Sequence, residues 1–325
     1  MPKHFLITGG AGFIGSHLAD KLIDLGHTVT AIDDLSTGRL ANISHLRDTP
    51  SFQLVIESIT EAGVMDRLCS MSDVIVHLAA AVGVQLVVND PVRTIETNIL
   101  GTHTVLKMAA RYQKKVLLIS SSEVYGKGVN VPFSEDDDRL LGPTTRSRWS
   151  YADTKAIDEY LGQAYHKTHG LPVIVARLFN TVGPRQTGQY GMVIPRFVQQ
   201  ALQGDALTVY GEGTQTRCFC SVHDTVRALI ALSAAESAVG EVFNVGSTEE
   251  ITILDLAKQI LVQTGGDPSR LRLIPYEQAY EPGFEDMLRR IPDIRKIKRI
   301  VGWNPTIPLA DMLEEIIRHT KSQQV

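Results

Sequence analysis

Tyr151 and Lys155 are the residues of this sequence whose types and spacing point most directly to chemistry. They are four residues apart in a segment with helical periodicity, so both side chains should lie on one face of a helix. A lysine ammonium beside a phenol favours the phenolate and lowers a pKa that is ordinarily about 10. Such a phenolate can take a proton from a hydroxyl group while a hydride leaves the same carbon. The pair predicts an alcohol–ketone redox step.

A run of hydroxyl and carboxyl side chains follows the apolar segment Val116–Ser120. Ser121, Ser122 and Glu123 come directly after it, at the point where a strand would end. Hydroxyls at the carboxyl end of a parallel strand would lie beside a bound ligand and could orient the reacting hydroxyl. Capping of a turn is the alternative reading of these serines.

A glycine-rich segment, Gly9-Gly10-Ala11-Gly12-Phe13-Ile14-Gly15, follows the apolar run Phe5–Thr8 and opens a helical pattern. In such a loop Gly9 allows the tight turn, Gly12 lets the backbone approach a pyrophosphate, and Gly15 lets helix and strand pack closely. The N–H groups and dipole of the helix N-terminus favour the negative charge of a diphosphate. The segment therefore predicts a bound dinucleotide; the alternative is a glycine turn without a ligand.

Asp33 indicates which dinucleotide binds, because it ends the next strand-like segment, Thr28–Asp33. An acid about 20 residues past the loop can accept hydrogen bonds from the adenosine ribose and repels a 2′-phosphate. This predicts NAD rather than NADP. Asp34 could share the role or cap the following turn, and Arg39 is close enough in sequence to weaken the preference.

The elements that must position these residues alternate between strands and helices in the first half of the chain. This alternation predicts βαβ units, and hence an α/β fold with a doubly wound parallel sheet whose ligand lies at the carboxyl ends of the strands. Beyond about residue 180 the sequence is richer in turns. We predict a dinucleotide-binding domain over 1–180, which includes the Tyr151/Lys155 helix, and a smaller α/β substrate-binding lobe over 181–325, from which some elements can return to the main sheet. The predicted strands are Phe5–Thr8, Thr28–Asp33, Gln53–Glu57, Val74–Leu78, Val116–Ser120 and Val173–Leu178, and the predicted helices include Ser16–Leu25, Pro91–Arg111, Tyr151–Thr168 and Leu309–Lys321.

The composition is that of an ordinary globular protein, with 43% hydrophobic and 21% charged residues. A net charge of −4 and the lack of basic blocks argue against a nucleic-acid or membrane-surface partner. No apolar run approaches the roughly 18 residues of a membrane span, and no signal peptide is recognisable. The three cysteines have neither disulfide-framework nor metal-ligand spacing. We expect a cytoplasmic protein without a metal.

Taken together, these motifs resemble the extended short-chain dehydrogenase/reductase family, in its group of NAD-dependent nucleotide-sugar epimerases, dehydratases and decarboxylases. The resemblance covers essentially the whole chain and implies a Rossmann fold, a UDP-sugar substrate and a homodimer paired through Pro91–Arg111 and Tyr151–Thr168. Ser58 departs from the family, where an acid often lies near the adenine. The cofactor contacts that the resemblance implies are Gly9, Gly12, Phe13, Ile14, Gly15, Asp33, Ser58, Ile59, Leu78, Ala79, Ala80, Asn98, Tyr151 and Lys155. The implied substrate contacts are Asn180 and Arg217 on the diphosphate, Val193, Thr208 and Tyr210 near the base, and Arg290.

Two motifs are similar to those of UDP-glucuronic acid decarboxylases: Ser121-Ser122-Glu123 and Arg290-Ile291-Pro292-Asp293. Enzymes of this group first oxidise the sugar at C4. The C5 carboxylate of a uronic acid is then a β-keto acid, which loses CO₂ readily. The resemblance gives Arg290 the role of placing that carboxylate or relaying a proton, with Ser122 and Glu123 shaping the pocket. It therefore favours conversion of UDP-glucuronate to UDP-xylose, with these residues, Ser121, Tyr151 and Lys155 as the catalytic set.

Several alternatives stay open. The segment Gly191–Phe197 is closer to UDP-sugar 4-epimerases (acting on UDP-glucose or UDP-glucuronate) than to decarboxylases, and the segment Gly83–Leu86 departs from the decarboxylase pattern. A 4,6-dehydratase usually has an Asp where Ser122 stands, which disfavours dehydration. Arg290 could instead form a salt bridge between lobes. A non-catalytic dinucleotide sensor would have no need of Tyr151 and Lys155.

Overall fold

The computed structural model describes residues 1–82, 90–188, 192–279 and 287–323. The segment Gly83-Val84-Gln85-Leu86, which departs from the decarboxylase pattern, and the residue Gly191 of the epimerase-like segment lie outside the described residues. The strands are β1 (His4–Thr8), β2 (Thr28–Asp33), β3 (Phe52–Ile56), β4 (Val74–His77), β5 (Lys115–Ser121), β6 (Val173–Leu178), β7 (Thr181–Val182), β8 (Leu207–Tyr210), β9 (Thr216–Cys218), β10 (Cys220–Ser221), β11 (Val242–Val245), β12 (Glu250–Thr252) and β13 (Leu271–Ile274). The helices are α1 (Phe13–Asp24), α2 (Ala62–Met71), α3 (Pro91–Arg111), α4 (Ser150–His169), α5 (Val193–Gln203), α6 (Val222–Ala234), α7 (Ile253–Thr264), α8 (Tyr276–Ala279), α9 (Arg295–Val301) and α10 (Leu309–Ser322).

A seven-stranded parallel sheet forms the centre of the molecule, in the order β11-β6-β5-β4-β1-β2-β3. Phe5 of β1 pairs with Val29 on one side and Val74 on the other. The chain reverses direction across the sheet between β1 and β4, which is the switch point where ligands bind in doubly wound folds. The predicted α/β class and parallel sheet are confirmed. The edge strand β11 comes from beyond residue 180 and pairs with β6.

Helices cover both faces of this sheet because its central strands are continuous apolar runs that need burial on two sides. On one face α1 and α6 contribute apolar side chains, among them Leu18 and Leu229. On the other face α2 and α3 pack on the strands through residues such as Leu68 and Leu106. Helix α4 also lies on this second face, beside α3, which holds Tyr151 and Lys155 at the carboxyl edge of β4 and β5.

A separate apolar cluster holds the remaining lobe together. It joins α5, α7 and α10 through buried side chains such as Phe197, Ile260 and Leu313. Short strand pairs extend this lobe, with β13 beside β8 and β12 beside β9. No helix in the described part of the chain has the length and apolar character needed to cross a bilayer.

Candidate active site

A cavity of about 400 Å³ lies between the carboxyl edge of the large sheet and the α5/α7 lobe. Its wall combines both parts of the molecule, since residues after β4, β5 and β6 face residues of α5, β8 and β9. The sequence-predicted site residues on this wall are Phe13, Ile14, Leu78, Ala80, Ser121, Ser122, Glu123, Tyr151, Lys155, Asn180, Val193, Tyr210, Arg217 and Arg290.

The glycine loop has the geometry that a dinucleotide phosphate requires. Gly9 has φ +70°, and a Cβ there would lie 2.9 Å from the backbone nitrogen of Ala79. A Cβ on Gly15 would lie 2.3 Å from the carbonyl oxygen of Gly9, so helix α1 can approach the loop this closely only with glycine. No side chain caps α1 at Gly12, which leaves its N-terminal N–H groups to an anion.

Asp33 ends β2 beside this loop. Its Oδ2 accepts a hydrogen bond from the Ala11 N–H and its Oδ1 one from the Leu35 N–H, each at 2.9 Å. Burial raises the pKa of Asp33, while these N–H groups oppose the rise. Asp34 instead accepts from the Ser36 N–H within its own turn. The residues present therefore fit NAD, with Asp33 as the acid placed for a ribose.

Eight predicted cofactor contacts do not line the cavity, namely Gly9, Gly12, Gly15, Asp33, Ser58, Ile59, Ala79 and Asn98. Asn98 accepts from the Ala81 N–H at 2.8 Å and donates to the Thr154 hydroxyl at 3.2 Å, so it ties the segment after β4 to helix α4. Ile59 is buried, and the Ser58 hydroxyl bonds to that of Thr60 at 2.8 Å. In the structure Asn98 supports the segment after β4 from behind, and Ile59 belongs to the apolar core beside α3.

Ala79, another of these eight contacts, lies beside the glycine loop. Its N–H donates to the Thr8 hydroxyl at 3.1 Å, which fixes the turn after β4 against the end of β1. This turn is the backbone against which Gly9 packs.

The Tyr151/Lys155 pair lies in the cavity, but its electrostatics differ from the sequence-based expectation. The Lys155 Nζ donates to Asp158 Oδ2 at 2.8 Å, and both side chains are buried. Burial, followed by the charges of Glu123 and Asp158, raises the pKa of Tyr151, which a hydrogen bond with Ser121 only partly offsets. The expected lowering of the Tyr151 pKa by Lys155 is therefore wrong for this structure, chiefly because the phenol is buried and, after that, because Glu123 and Asp158 add negative charge nearby.

Glu123 and Arg290 form an ion pair on the same wall. The Arg290 Nη1 lies 2.8 Å from Glu123 Oε1 and donates to the Ser122 hydroxyl at 3.2 Å. The two side chains are 14% and 8% exposed, so the pair is largely shielded from water. Arg290 is thus both a bridge from the C-terminal part of the chain to the sheet and a residue of the cavity.

The residues predicted for a diphosphate, Asn180 and Arg217, line the cavity. Arg217, on β9, is buried, and its Nη1 donates to the Met287 carbonyl at 2.8 Å. The Asn180 side chain donates to the Cys218 carbonyl at 3.1 Å. These bonds to the main chain hold both side chains on the cavity wall.

The predicted base contacts divide into two groups. Val193 begins α5, and Tyr210 ends β8 with the Arg196 guanidinium 4.0 Å above its ring. The Thr208 hydroxyl instead accepts from the Gln200 side chain at 3.0 Å and does not line the cavity. The sequence reasoning missed Arg196, although its place one turn into an amphipathic helix beside Val193 was a signal. Other wall residues that it missed are Thr181, Gln186, Met192, Gln215, Phe219 and Tyr276.

The described residues contain no cluster of histidine, cysteine and acidic side chains that could hold a metal ion. The three cysteines are buried and unpaired as thiols. Burial raises the pKa of the Cys218 and Cys220 thiols to about 12, so neither is a nucleophile near neutral pH.

The chain is similar in sequence and in fold to enzymes that act on nucleotide-linked sugars. The sequence profile of the GDP-mannose 4,6-dehydratase family matches residues 6–316. The chain is 44% identical to a UDP-N-acetyl-alpha-D-glucosaminuronate decarboxylase from Bacillus cytotoxicus, over 98% of each chain. It is 39% identical to UDP-glucuronic acid decarboxylase 1 from Danio rerio, over 98% of this chain and 72% of that one. A UDP-glucuronic acid 4-epimerase from Bacillus cereus, solved with UDP-glucuronic acid and NAD, superposes with a TM-score of 0.88 at 30% identity, over 98% and 99% of the two chains.

Proposed function

The chain belongs to the GDP-mannose 4,6-dehydratase family, and on that premise we propose that it is an NAD-dependent decarboxylase of a UDP-linked hexuronate. The observation that carries the proposal is the Glu123–Arg290 ion pair on the cavity wall that also holds Tyr151. Both curated relatives described above carry decarboxylase names.

NAD fits the glycine loop and the Asp33 carboxyl, and it would supply the hydride acceptor and, once reduced, the hydride donor. The loop and the α1 N-terminus would hold the diphosphate, and Asp33 the adenosine ribose. The Asn98 amide would act indirectly, by fixing the segment after β4 and helix α4. Because the cofactor is regenerated in each cycle, no external oxidant is needed.

Tyr151 would take the proton from the sugar C4 hydroxyl while hydride leaves C4. The Ser121 hydroxyl, which bonds to the phenol, would orient the two reacting oxygens. The positive charge of a bound nicotinamide and of Lys155 would oppose the burial that raises the pKa of Tyr151.

The C4 ketone makes the C5 carboxylate a β-keto acid. The C5–C6 bond then breaks, CO₂ leaves, and the electron pair moves into the C4 ketone, which becomes a C4–C5 enolate. Arg290 would place the carboxylate before this step, since a guanidinium fork binds carboxylates in pairs of hydrogen bonds. A proton added at C5 and hydride returned to C4 complete the product.

Two hexuronates suit this scheme. UDP-glucuronate, giving UDP-xylose, is the substrate that the sequence motifs predict, and the B. cytotoxicus relative adds UDP-N-acetylglucosaminuronate. The competing reaction is 4-epimerisation, because a UDP-glucuronic acid 4-epimerase shares the fold.

Mass spectrometry of products from the two UDP-hexuronates and UDP-glucose tests the proposal. We expect a loss of about 44 mass units from one or both hexuronates, which is the mass of CO₂. An unchanged mass with a new retention time would establish epimerisation instead, and a loss of about 18 units would establish dehydration. Turnover of none of the sugars, with NADH still bound, would favour a dinucleotide sensor.

We further propose that the enzyme is a cytoplasmic homodimer. Helices α3 and α4 lie side by side and leave Val92, Leu100 and Tyr160 exposed at 65%, 53% and 68%. A second copy could cover these apolar side chains. We expect a dimer in light scattering and a monomer for Tyr160→Glu combined with Leu100→Glu. A monomeric wild type would contradict the pairing.

A further inference from the structure

Asp158 is a fully buried acid on the helix that carries Tyr151 and Lys155. Its side chain is 0% exposed, and its Oδ2 accepts from the Lys155 Nζ at 2.8 Å. Asp158 lies three residues after Lys155, so the two side chains share one face of α4. It does not line the cavity, so it can act on the reaction through its bond to Lys155 and through its charge, but not by touching the substrate.

The surroundings of this pair are a polar network. Burial raises the pKa of Asp158, and interactions with Lys155 and with the Thr102 hydroxyl of α3 oppose this rise. The Thr102 hydroxyl also bonds to His77 Nε2 at 3.0 Å. His77 Nδ1 bonds to the Thr8 hydroxyl at 2.7 Å, at the end of β1. The network thus runs from the strand before the glycine loop to Lys155, and it leaves the lysine a single buried counter-charge in direct contact among the described residues.

From this arrangement we propose that Asp158 is a positioning residue for the reaction: its carboxylate holds the Lys155 ammonium against the α3 side of the site and keeps it charged there. A buried ammonium without a partner would lose its proton or move toward water. Lysine has three N–H donors, so a bond to Asp158 is compatible with further bonds from Nζ into the cavity. The inference rests on the proposed NAD chemistry at Tyr151, but not on which sugar is converted.

The other titratable groups around the site are either neutral or paired with an opposite charge. Asp158 is therefore the group whose removal should change the charge balance at Lys155 most. From β4, His77 is kept neutral because burial and the Lys155 charge lower its pKa to about 3. On α4 itself, Glu159 is paired with Arg177 of β6 at 2.7 Å. From the turn after β5, Glu123 is paired with Arg290.

Asp158→Asn tests the proposal through the pH dependence of kcat/KM. Removal of a negative charge makes proton loss easier at both Tyr151 and Lys155, so both limbs of the bell-shaped profile should move to lower pH, by about one unit. A merely structural role would lower the rate without moving either limb. Asp158→Glu, which keeps the charge, should restore the wild-type limbs.

Asp153→Asn is the matched control. Asp153 lies on the same helix and pairs with Arg139 at 3.0 Å, but its side chain is 49% exposed. Water and salt screen such a charge, so the limbs should move by no more than about 0.2 unit. Unmoved limbs in Asp158→Asn, or an equal shift in Asp153→Asn, would overturn the proposal. A wild-type protein with no turnover would refute the proposed function instead.

If Asp158→Asn does not fold, thermal unfolding decides the question. Lys155→Met removes the charge that Asp158 balances, so adding Asp158→Asn to it should give a folded protein with an unfolding midpoint close to that of Lys155→Met. This outcome would support the pairing even without turnover. Failure of the double variant to fold, while Lys155→Met folds, would show that Asp158 serves other contacts and would reject the proposal.

Discussion

Arg290→Met should separate the two roles that the Glu123–Arg290 pair has in this molecule. Methionine keeps much of the side-chain length but removes the charge and every N–H donor. Glu123 would then be left as a largely buried carboxylate, 14% exposed, without the guanidinium 2.8 Å away. We therefore expect a loss of both stability and decarboxylation.

The magnitudes follow from burial and from the number of bonds lost. Breaking a buried pair by removal of one partner costs about 3–5 kcal/mol, and the lower end applies because this pair faces a cavity. Two charge-assisted hydrogen bonds to a substrate carboxylate, each about 1.5 kcal/mol, correspond to about a 100-fold lower rate. Urea unfolding measures the first loss, and release of labelled CO₂ from carboxyl-labelled UDP-glucuronate measures the second.

The Glu123→Gln variant and the double variant complete a thermodynamic cycle. If the pair is formed, Arg290→Met should destabilise the Glu123→Gln protein much less than the wild type. A coupling energy below about 0.5 kcal/mol would refute the pairing, by the usual criterion for independent sites. Wild-type CO₂ release by Arg290→Met would refute the assignment of the substrate carboxylate to this residue.

Three further predictions concern the cofactor loop, the phenol and the buried imidazole of α1. Gly15→Ala should weaken NADH binding at least about 10-fold in a fluorescence titration, because its Cβ would lie 2.3 Å from a backbone oxygen, whereas Gly63→Ala, with no neighbour within 4 Å, should bind normally. Tyr151→Phe should bind NADH within about 2-fold of wild type yet show no turnover; normal rates would overturn its acid/base role. His17 has its pKa lowered from 6.5 to about 4 by burial, so the unfolded chain takes up a proton at this position at higher pH than the folded one does. The contribution of His17 to the free energy of unfolding should therefore fall by about 3 kcal/mol as the pH drops from 6.5 to 4. The His17→Gln protein should lack this pH dependence in urea titrations.

The sequence predicted the sheet well because its signals are local. Helix α3 runs over Pro91–Arg111 as predicted, since Pro91 suits the first helical position and the Asp90 side chain accepts from the Arg93 N–H at 3.3 Å. Helix α1 instead begins at Phe13, three residues before the predicted Ser16. The glycine segment was read as a loop, whereas its last residues form the first turn of the helix.

The site was predictable as a set of residues but not as a set of charges. Arg290 and Ser122 are 168 residues apart in sequence, so only the folded chain shows that they are hydrogen-bonded. The three-residue spacing of Lys155 and Asp158 on one helix can be seen in the sequence. The burial of Asp158 cannot, because it depends on how α3 and β4 pack around it. The sequence-based expectation for the Tyr151 pKa considered only the charge of Lys155. In the folded chain, burial and the charges of Glu123 and Asp158 also act on the phenol.

The order in which the sheet is assembled has a consequence for synthesis. Strand β11 follows the first segments of the lobe in sequence, and it supplies the outer neighbour of β6. A nascent chain that has emerged only to residue 180 exposes an unpaired strand edge, together with the apolar face that α6 later covers. A protein truncated there should aggregate on expression, because this sheet has all its strands only after residues 242–245 have left the ribosome.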